Sequence, residues 1–191
     1  MSRIVIVGSI SSGKSTFLSR LKNENKNINV VLENVDEWEP FLDDYYKDIN
    51  ANAFKLQMKI FYEQTCYDYY KDKVNVYERS PYSLKYSFGR MLYDQNILSK
   101  SEYDLQNNFV DKFGWIPTRI IYIDVSPEVC YERCVKKGIT NISLEYLKML
   151  EIYYENALIK YRENICVSVI DGEKEKEEIY REILDIINLE S

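Results

Sequence analysis

Gly8-Ser9-Ile10-Ser11-Ser12-Gly13-Lys14-Ser15 follows the apolar run Ile4-Val5-Ile6-Val7 and precedes a helical pattern carrying Phe17, Leu18 and Leu21. The stretch reads Gly-x-x-x-x-Gly-Lys-Ser between a buried strand and a helix, the setting in which that spacing has a physical meaning. Gly8 and Gly13 allow a loop whose backbone N–H groups, those of Ser9, Ile10, Ser11 and Ser12 among them, converge on phosphate. The helix opening at Lys14, Ser15 and Thr16 adds the positive end of its dipole. Lys14 then reaches the β- and γ-phosphates, and the Ser15 hydroxyl faces Mg²⁺. A nucleoside triphosphate with Mg²⁺ is the implied ligand, and the phosphate acceptor is left open.

Working outward, 191 residues suit one α/β domain, 1–191, that buries roughly 70% of its unfolded surface without a cofactor to hold the core. A hydrophobic fraction of 46% against 29% charged residues is ordinary for a globular chain, whereas 18 tyrosines are not. The net charge of −6, with no basic block beyond Lys136-Lys137, leaves no footprint for long nucleic acid and suits a small anionic substrate with Mg²⁺. Cys66, Cys130, Cys134 and Cys166 are too scattered for a disulfide framework and read as reduced packing thiols. The absence of histidine removes the common zinc sets and the Ser-His-Asp and Cys-His nucleophiles, so a general base has to be a carboxylate or a rarer substitute. Only Met1 and Ser2 precede the first strand and no apolar run reaches membrane-spanning length, so the expectation is a soluble, cytoplasmic protein without a membrane partner.

Strands are expected at 3–7, 30–32, 74–77, 119–125 and 167–170, and Glu33 and Glu78-Arg79 stand at the C-terminal ends of the second and third. In open parallel sheets ligands bind at that edge. After Pro40 the segment 41–50 is polar and aromatic, and Phe54, Met58, Phe61, Thr65 and Tyr69 place one long helix over 53–70. Further helices are expected over 82–98, 100–113 with Ser99 as cap, 143–161 and 174–187, and one opened by Ser126-Pro127-Glu128. The cations in Arg133-Cys134-Val135-Lys136-Lys137-Gly138 read either as a phosphate-facing lid, about 133–143, or as a solvated helix end favoured by the dipole. The fold class is therefore a P-loop α/β domain, a five-stranded parallel sheet in the order 2-3-1-4-5 with helices on both faces.

Phosphoryl transfer to a hydroxyl requires an acceptor held in line, cations on the γ-phosphate and often a carboxylate to take the proton. Lys14, Ser15, Glu33, Glu78 and Arg79 supply such groups at one sheet edge. Taken with these, Glu33-Asn34-Val35-Asp36-Glu37-Trp38, Glu78-Arg79-Ser80, Ser126 to Arg133 and Leu144-Glu145-Tyr146-Leu147 make the chain resemble the deoxynucleoside kinases from Ile4 to about Tyr161. The resemblance implies ATP- and Mg²⁺-dependent phosphorylation of a deoxyribonucleoside 5′-hydroxyl. It implies catalytic roles for Glu33 as general base and for Arg79 and Lys14, with Ser15 and Glu78 at the metal and Arg133 and Lys137 on the phosphates.

It also places Trp38, Tyr46, Gln57, Arg79 and Phe88 on the nucleoside, Tyr46 and Gln57 being eleven residues apart as in the family. Gln64 and Leu84 stand where purine- and cytosine-preferring members carry an Arg/Asp pair, which favours a pyrimidine, thymidine-like preference. Asn34 replaces the family's proline, Lys137 stands where an arginine is usual, and Ile139 replaces another. A homodimer is implied through the helices after the second and third strands. Two rival readings stay open: a nucleoside monophosphate kinase, which would need extra cations for the acceptor phosphate, and a nucleotide-binding module without transfer chemistry.

Overall fold

Strands β1 (Arg3–Val7), β2 (Ile28–Val31), β3 (Val74–Glu78), β4 (Arg119–Asp124) and β5 (Cys166–Asp171) form a parallel sheet in the order β2-β3-β1-β4-β5. The computed structural model describes residues 2–189, so Met1, Glu190 and Ser191 of the expected domain lie outside the described residues. Ile4, Val5, Ile6 and Val7 are all fully buried, as a central strand covered on both faces requires. Successive residues serve opposite layers. Ile4, Ile6, Ile121 and Ile123 pack with Leu18 and Leu21 of α1 (Lys14–Glu24), Cys130 and Cys134 of α7 (Pro127–Lys136), and Ile183 and Ile187 of α9 (Lys176–Asn188). Val5, Val7, Ile120 and Tyr122 pack with Leu150, Tyr154, Leu158 and Tyr161 of α8 (Leu144–Arg162).

A third cluster lies beyond the sheet. Trp38 of α2 (Val35–Lys47), Leu56, Ile60 and Phe61 of α3 (Ile49–Thr65), Leu84 of α4 (Pro81–Leu84) and Val110 of α6 (Lys100–Phe113) are buried together. Residues 41–47, read from the sequence only as polar and aromatic, belong to α2, which runs through Pro40. Interior proline removes one helical hydrogen bond, and the packing of Phe41, Leu42 and Tyr45 against the third cluster outweighs that cost.

The long helix expected over 53–70 starts earlier and stops at Thr65. Buried Asn75 explains the stop. Its amide donates to the carbonyls of Tyr70 (2.8 Å) and Lys73 (2.9 Å) while its carbonyl accepts from Tyr70 N (2.9 Å), so the chain that would continue the helix is bound into a loop. The single helix expected over 82–98 is α4, a π-helical turn at Lys85–Gly89, and α5 (Arg90–Asp94). Gln106 of α6 presses on that turn: a Cβ at Gly89 would come within 2.6 Å of its Nε2. Strand β2 ends one residue early, leaving Leu32 outside it.

Ser126 precedes α7 without capping it through its side chain. Its N–H and hydroxyl donate instead to Glu173 at 2.8 and 2.5 Å, tying the start of α7 to the turn after β5. All four thiols are free, but only Cys130 and Cys134 are buried. Cys66 caps α3 and Cys166 starts edge strand β5, both exposed, so these two are not packing residues. Among the described residues no helix is long and apolar enough to cross a membrane.

Candidate active site

The loop between β1 and α1 takes the conformation its glycines permit. Gly8 has φ 153° and faces Ile123 O, which a Cβ would approach to 2.7 Å; Gly13 turns at φ 108° into the first helical residue, with open space where a side chain would project. Between them Ser11 holds φ 61°, and its hydroxyl meets Cys134 Sγ at 3.3 Å. Lys14 is 4% exposed and folds back so that Nζ donates to Ser9 O at 2.7 Å and Ser12 Oγ at 3.4 Å. Burial, with the charge of Arg79 beside it, lowers the Lys14 pKa to about 7.

Strand β3 lies between β2 and β1, which brings the ends of all three to one crevice. Ile6 pairs in register with Glu78, and the next amide, Arg79 N, donates to Ile6 O at 3.0 Å. Glu78 accepts a 2.7 Å hydrogen bond from the Ser15 hydroxyl, joining strand end to phosphate loop. Arg79 then adopts φ 56°, a left-handed conformation that non-glycine residues rarely hold and that clusters at functional sites.

The turn throws its guanidinium across the crevice. Nη1 pairs with Glu33 Oε2, Nε donates to Tyr154 OH at 3.2 Å, and Nη2 reaches Gly8 O at 3.5 Å. The other Glu33 oxygen, Oε1, accepts from Gln64 Nε2 at 3.3 Å. Burial pushes the Glu33 carboxyl up from its ordinary range against the pull of Arg79. A carboxylate so poised is a better proton acceptor than a solvated one.

Around this pair the nucleoside-binding residues expected from the sequence are held in four different settings. Glu33, Arg79 and Gln64 are bonded directly, and the Arg79 guanidinium lies 5.4 Å from the centre of the Phe88 ring. Trp38, Leu84 and Phe88 share the third apolar cluster, with the Trp38 indole N–H donating to Glu63. Gln57, two helical turns before Gln64 on α3, is 5% exposed and its Oε1 is buried without a hydrogen-bond partner, a polar atom awaiting a ligand or water. Tyr46 stands at the rim, 41% exposed, its ring 5.3 Å from that of Tyr45.

Three tyrosines outside the expected set, Tyr154, Tyr146 and Tyr67, also border the Arg79 guanidinium. Burial raises the pKa of each, and all three feel the Arg79 charge. Only their place among 18 tyrosines marked them in the sequence. Tyr154 does carry one usable signal, a polar tip on the apolar stripe Leu147, Leu150, Tyr154, Leu158 of α8.

On the opposite side of the phosphate loop a cavity of about 360 Å³ opens between Phe17, Ile123, Ile179 and Tyr180, with Arg133 and Lys137 at its edge. Arg133 spans it, donating to Ser12 O at 3.3 Å and to Gly172 O at 3.2 Å. Arg20 lies 3.8 Å from the centre of the Tyr180 ring and pairs with Glu177 at 2.7 Å. The phosphate loop thus borders an apolar cleft edged by Arg133 and Lys137, and Gly8 O of the same loop meets the buried Glu33–Arg79 pair. Such an arrangement, a cleft beside the phosphate loop and a buried acid–guanidinium pair at the sheet edge, can serve phosphoryl transfer.

Over 197 residues the chain is 33% identical to protein 143R of Invertebrate iridescent virus 6, covering 98% of this chain and 97% of that one. It is 30% identical to a probable deoxycytidine kinase of Fowlpox virus, over 85% of this chain and 74% of that protein, and 29% identical to mitochondrial thymidine kinase 2 of Homo sapiens, over 82% and 64%. The fold is that of a deoxyadenosine kinase from M. mycoides solved with dCMP and dCDP bound, at a TM-score of 0.84 and 21% identity over 99% of this chain and all of that one. The deoxynucleoside kinase family model matches residues 4–189, and the chain belongs to that family.

Proposed function

We propose that this ATP-dependent kinase phosphorylates the 5′-hydroxyl of a pyrimidine deoxyribonucleoside, with Glu33 as general base. The observation that carries the reading is the buried Glu33 carboxylate, held by Arg79 where the ends of β2 and β3 meet the phosphate loop. As the 5′-oxygen attacks, its proton passes to Glu33, the O–P bond to the γ-phosphorus forms, and the bridging bond to the β-phosphate breaks to release ADP. Lys14, Arg79 and Arg133 offset the charge on the transferring group.

Ser15 and Glu78, an oxygen pair 2.7 Å apart at the loop, suit Mg²⁺, a hard ion that takes few protein ligands beside the phosphates. When bound, the ion would neutralise charge on the β- and γ-phosphates. The 360 Å³ cleft beside Tyr180 and Gly172 would take the donor base. On the acceptor side Trp38 and Phe88 provide ring faces and Gln57 an amide that pairs with a pyrimidine edge. Leu84, 3% exposed, supplies an apolar wall where a charged reader of the base would otherwise stand. The cation bonded at this pocket, Arg79, is already paired with Glu33, which favours a nucleoside over a nucleoside monophosphate as acceptor.

A homodimer is part of the reading. Tyr62 on α3 and Leu105 and Phe113 on α6 are 61%, 54% and 56% exposed, an apolar surface on the helices after β2 and β3.

The test is phosphorylation of thymidine, deoxycytidine, deoxyadenosine, deoxyguanosine and dTMP by ATP with Mg²⁺, run beside Glu33→Gln. Turnover of thymidine or deoxycytidine ahead of the purines, lost about 10²- to 10⁴-fold in the variant, is expected. Turnover of dTMP alone would overturn the assignment of the acceptor.

A further inference from the structure

Gln64 is fully buried in the last turn of α3, where its backbone carbonyl and side-chain nitrogen are committed and its side-chain oxygen is left without a hydrogen-bond partner. Its backbone carbonyl, one of the final helical carbonyls without an intrahelical donor, accepts from the Trp115 indole at 3.0 Å. Its side-chain nitrogen donates to Glu33 Oε1 at 3.3 Å. We propose that Gln64 is a positioning residue for the catalytic base: it aims Oε1 of Glu33 at the acceptor hydroxyl and sets how readily that oxygen takes the proton. The proposal rests on Glu33 being the base, and it assigns Gln64 away from the nucleobase contact expected from the sequence.

The two oxygens of Glu33 are not equivalent. Oε2 carries the charge-assisted bond from Arg79, which draws electron density and leaves Oε1 the more basic of the two. An ionised carboxylate only accepts hydrogen bonds, so the Gln64 amide must present its NH₂ to Oε1 and cannot turn over without setting oxygen against oxygen. Oε1 has a second lone pair, and the proton leaving the 5′-hydroxyl goes there as the O–P bond forms. Trp115 fixes the backbone of Gln64, Gln64 fixes the plane of the carboxylate, and the plane decides where the remaining lone pair points.

The charged and titratable groups facing Glu33 are Arg79 and Glu78 from β3 and the turn after it, Lys14 from α1, and the phenols of Tyr67 and Tyr154. Gln64 is a donor that does not titrate, so its removal leaves every charge around Glu33 in place. A hydrogen bond to the ionised form lowers a carboxyl pKa, and its loss raises it.

The test is the pH dependence of kcat/KM for thymidine, deoxycytidine and deoxyadenosine in the wild type, Gln64→Met and Gln64→Glu, with thermal unfolding of each followed in parallel. Gln64→Met removes the donor at nearly constant volume, and Gln64→Glu puts a like charge in its place. The acid limb should move to higher pH by about one unit in Gln64→Met, a roughly tenfold loss of rate at a fixed pH below the limb. It should move further in Gln64→Glu, and by the same amount for all three nucleosides. The limb is read from whichever variant unfolds as cooperatively as the wild type. An unmoved limb, or a loss confined to KM for one base, would overturn the proposal and return Gln64 to base reading. Glu33→Gln separates the two levels: if it keeps near-normal turnover, Glu33 is not the base, whatever the Gln64 variants do.

Discussion

Ser15 donates its hydroxyl proton to Glu78 across 2.7 Å, so the first turn of α1 and the last residue of β3 share one polar contact at the mouth of the phosphate loop. Each residue fixes the orientation of the other. Loss of either should therefore act on the metal rather than on the fold. In Ser15→Ala and Glu78→Gln the Mg²⁺ concentration giving half-maximal rate at fixed ATP should rise about 10- to 100-fold, the usual cost of disturbing a metal's supporting groups. A Mg²⁺ titration of initial rates checks it, and thermal unfolding should shift little for Ser15→Ala.

Arg79 has three acceptors that a lysine cannot reach together, Glu33, Tyr154 and Gly8 O. Arg79→Lys should keep the fold and lower kcat on the order of 10²-fold. Arg79→Ala leaves Glu33 buried without its partner and should lose about 3–5 kcal/mol of stability at neutral pH. Burial raises the Glu33 pKa, so the native state holds this proton at a pH where the unfolded chain has released it. Stability of Arg79→Ala should accordingly recover as pH falls towards the carboxylate range and worsen as pH rises through it. Urea unfolding from pH 5 to 8 measures the trend.

Lys14 titrates at about 7 in the ligand-free protein against 10.5 for the free side chain. Between those values the unfolded chain binds the extra proton, so the contribution of Lys14 to stability rises with pH across that window, and below about 7 its buried charge carries a constant cost. Lys14→Met should therefore be more stable than the wild type at pH 6, by on the order of 1–4 kcal/mol. The gap should close towards pH 10.5.

ATP reverses the effect, because its phosphates favour the ammonium. Calorimetry at pH 8 in buffers of different ionisation enthalpy should register uptake of nearly one proton per ATP bound in the wild type. In Lys14→Met that uptake should be absent.

Arg133 holds Ser12 O and Gly172 O at once, bridging the phosphate loop and the turn after β5. Arg133→Lys keeps the charge and loses the fork. The KM for ATP should rise about tenfold with a smaller change in the KM for the nucleoside, as donor-concentration series at saturating nucleoside would show.

The glycine spacing in 8–15, the two-sided apolar strands and the Ser99 cap depend on neighbours within a few residues, and all were legible. Ser99 caps α6 through a reciprocal pair with Glu102, and the sheet order follows from the P-loop unit that residues 3–24 announce. Local preference gave way where distant residues intervene: Asn75 binds the chain beyond α3 into a loop, and Gln106 leaves no room for a side chain at Gly89 of the π-helical turn.

The sequence by itself determined the strand, glycine loop and helix of 3–24, and that carboxylates and an arginine stand at the same sheet edge. Backbone conformation and apolar period are local properties, written within one or two turns of chain. Only the tertiary structure decided what those groups do to one another. Glu33 meets Gln64 across 31 residues and Arg79 across 46, while Arg79 meets Tyr154 across 75. Whether a carboxylate is a solvated strand end or a buried base depends on that convergence, because desolvation and partner charges act through space and leave no period in the chain.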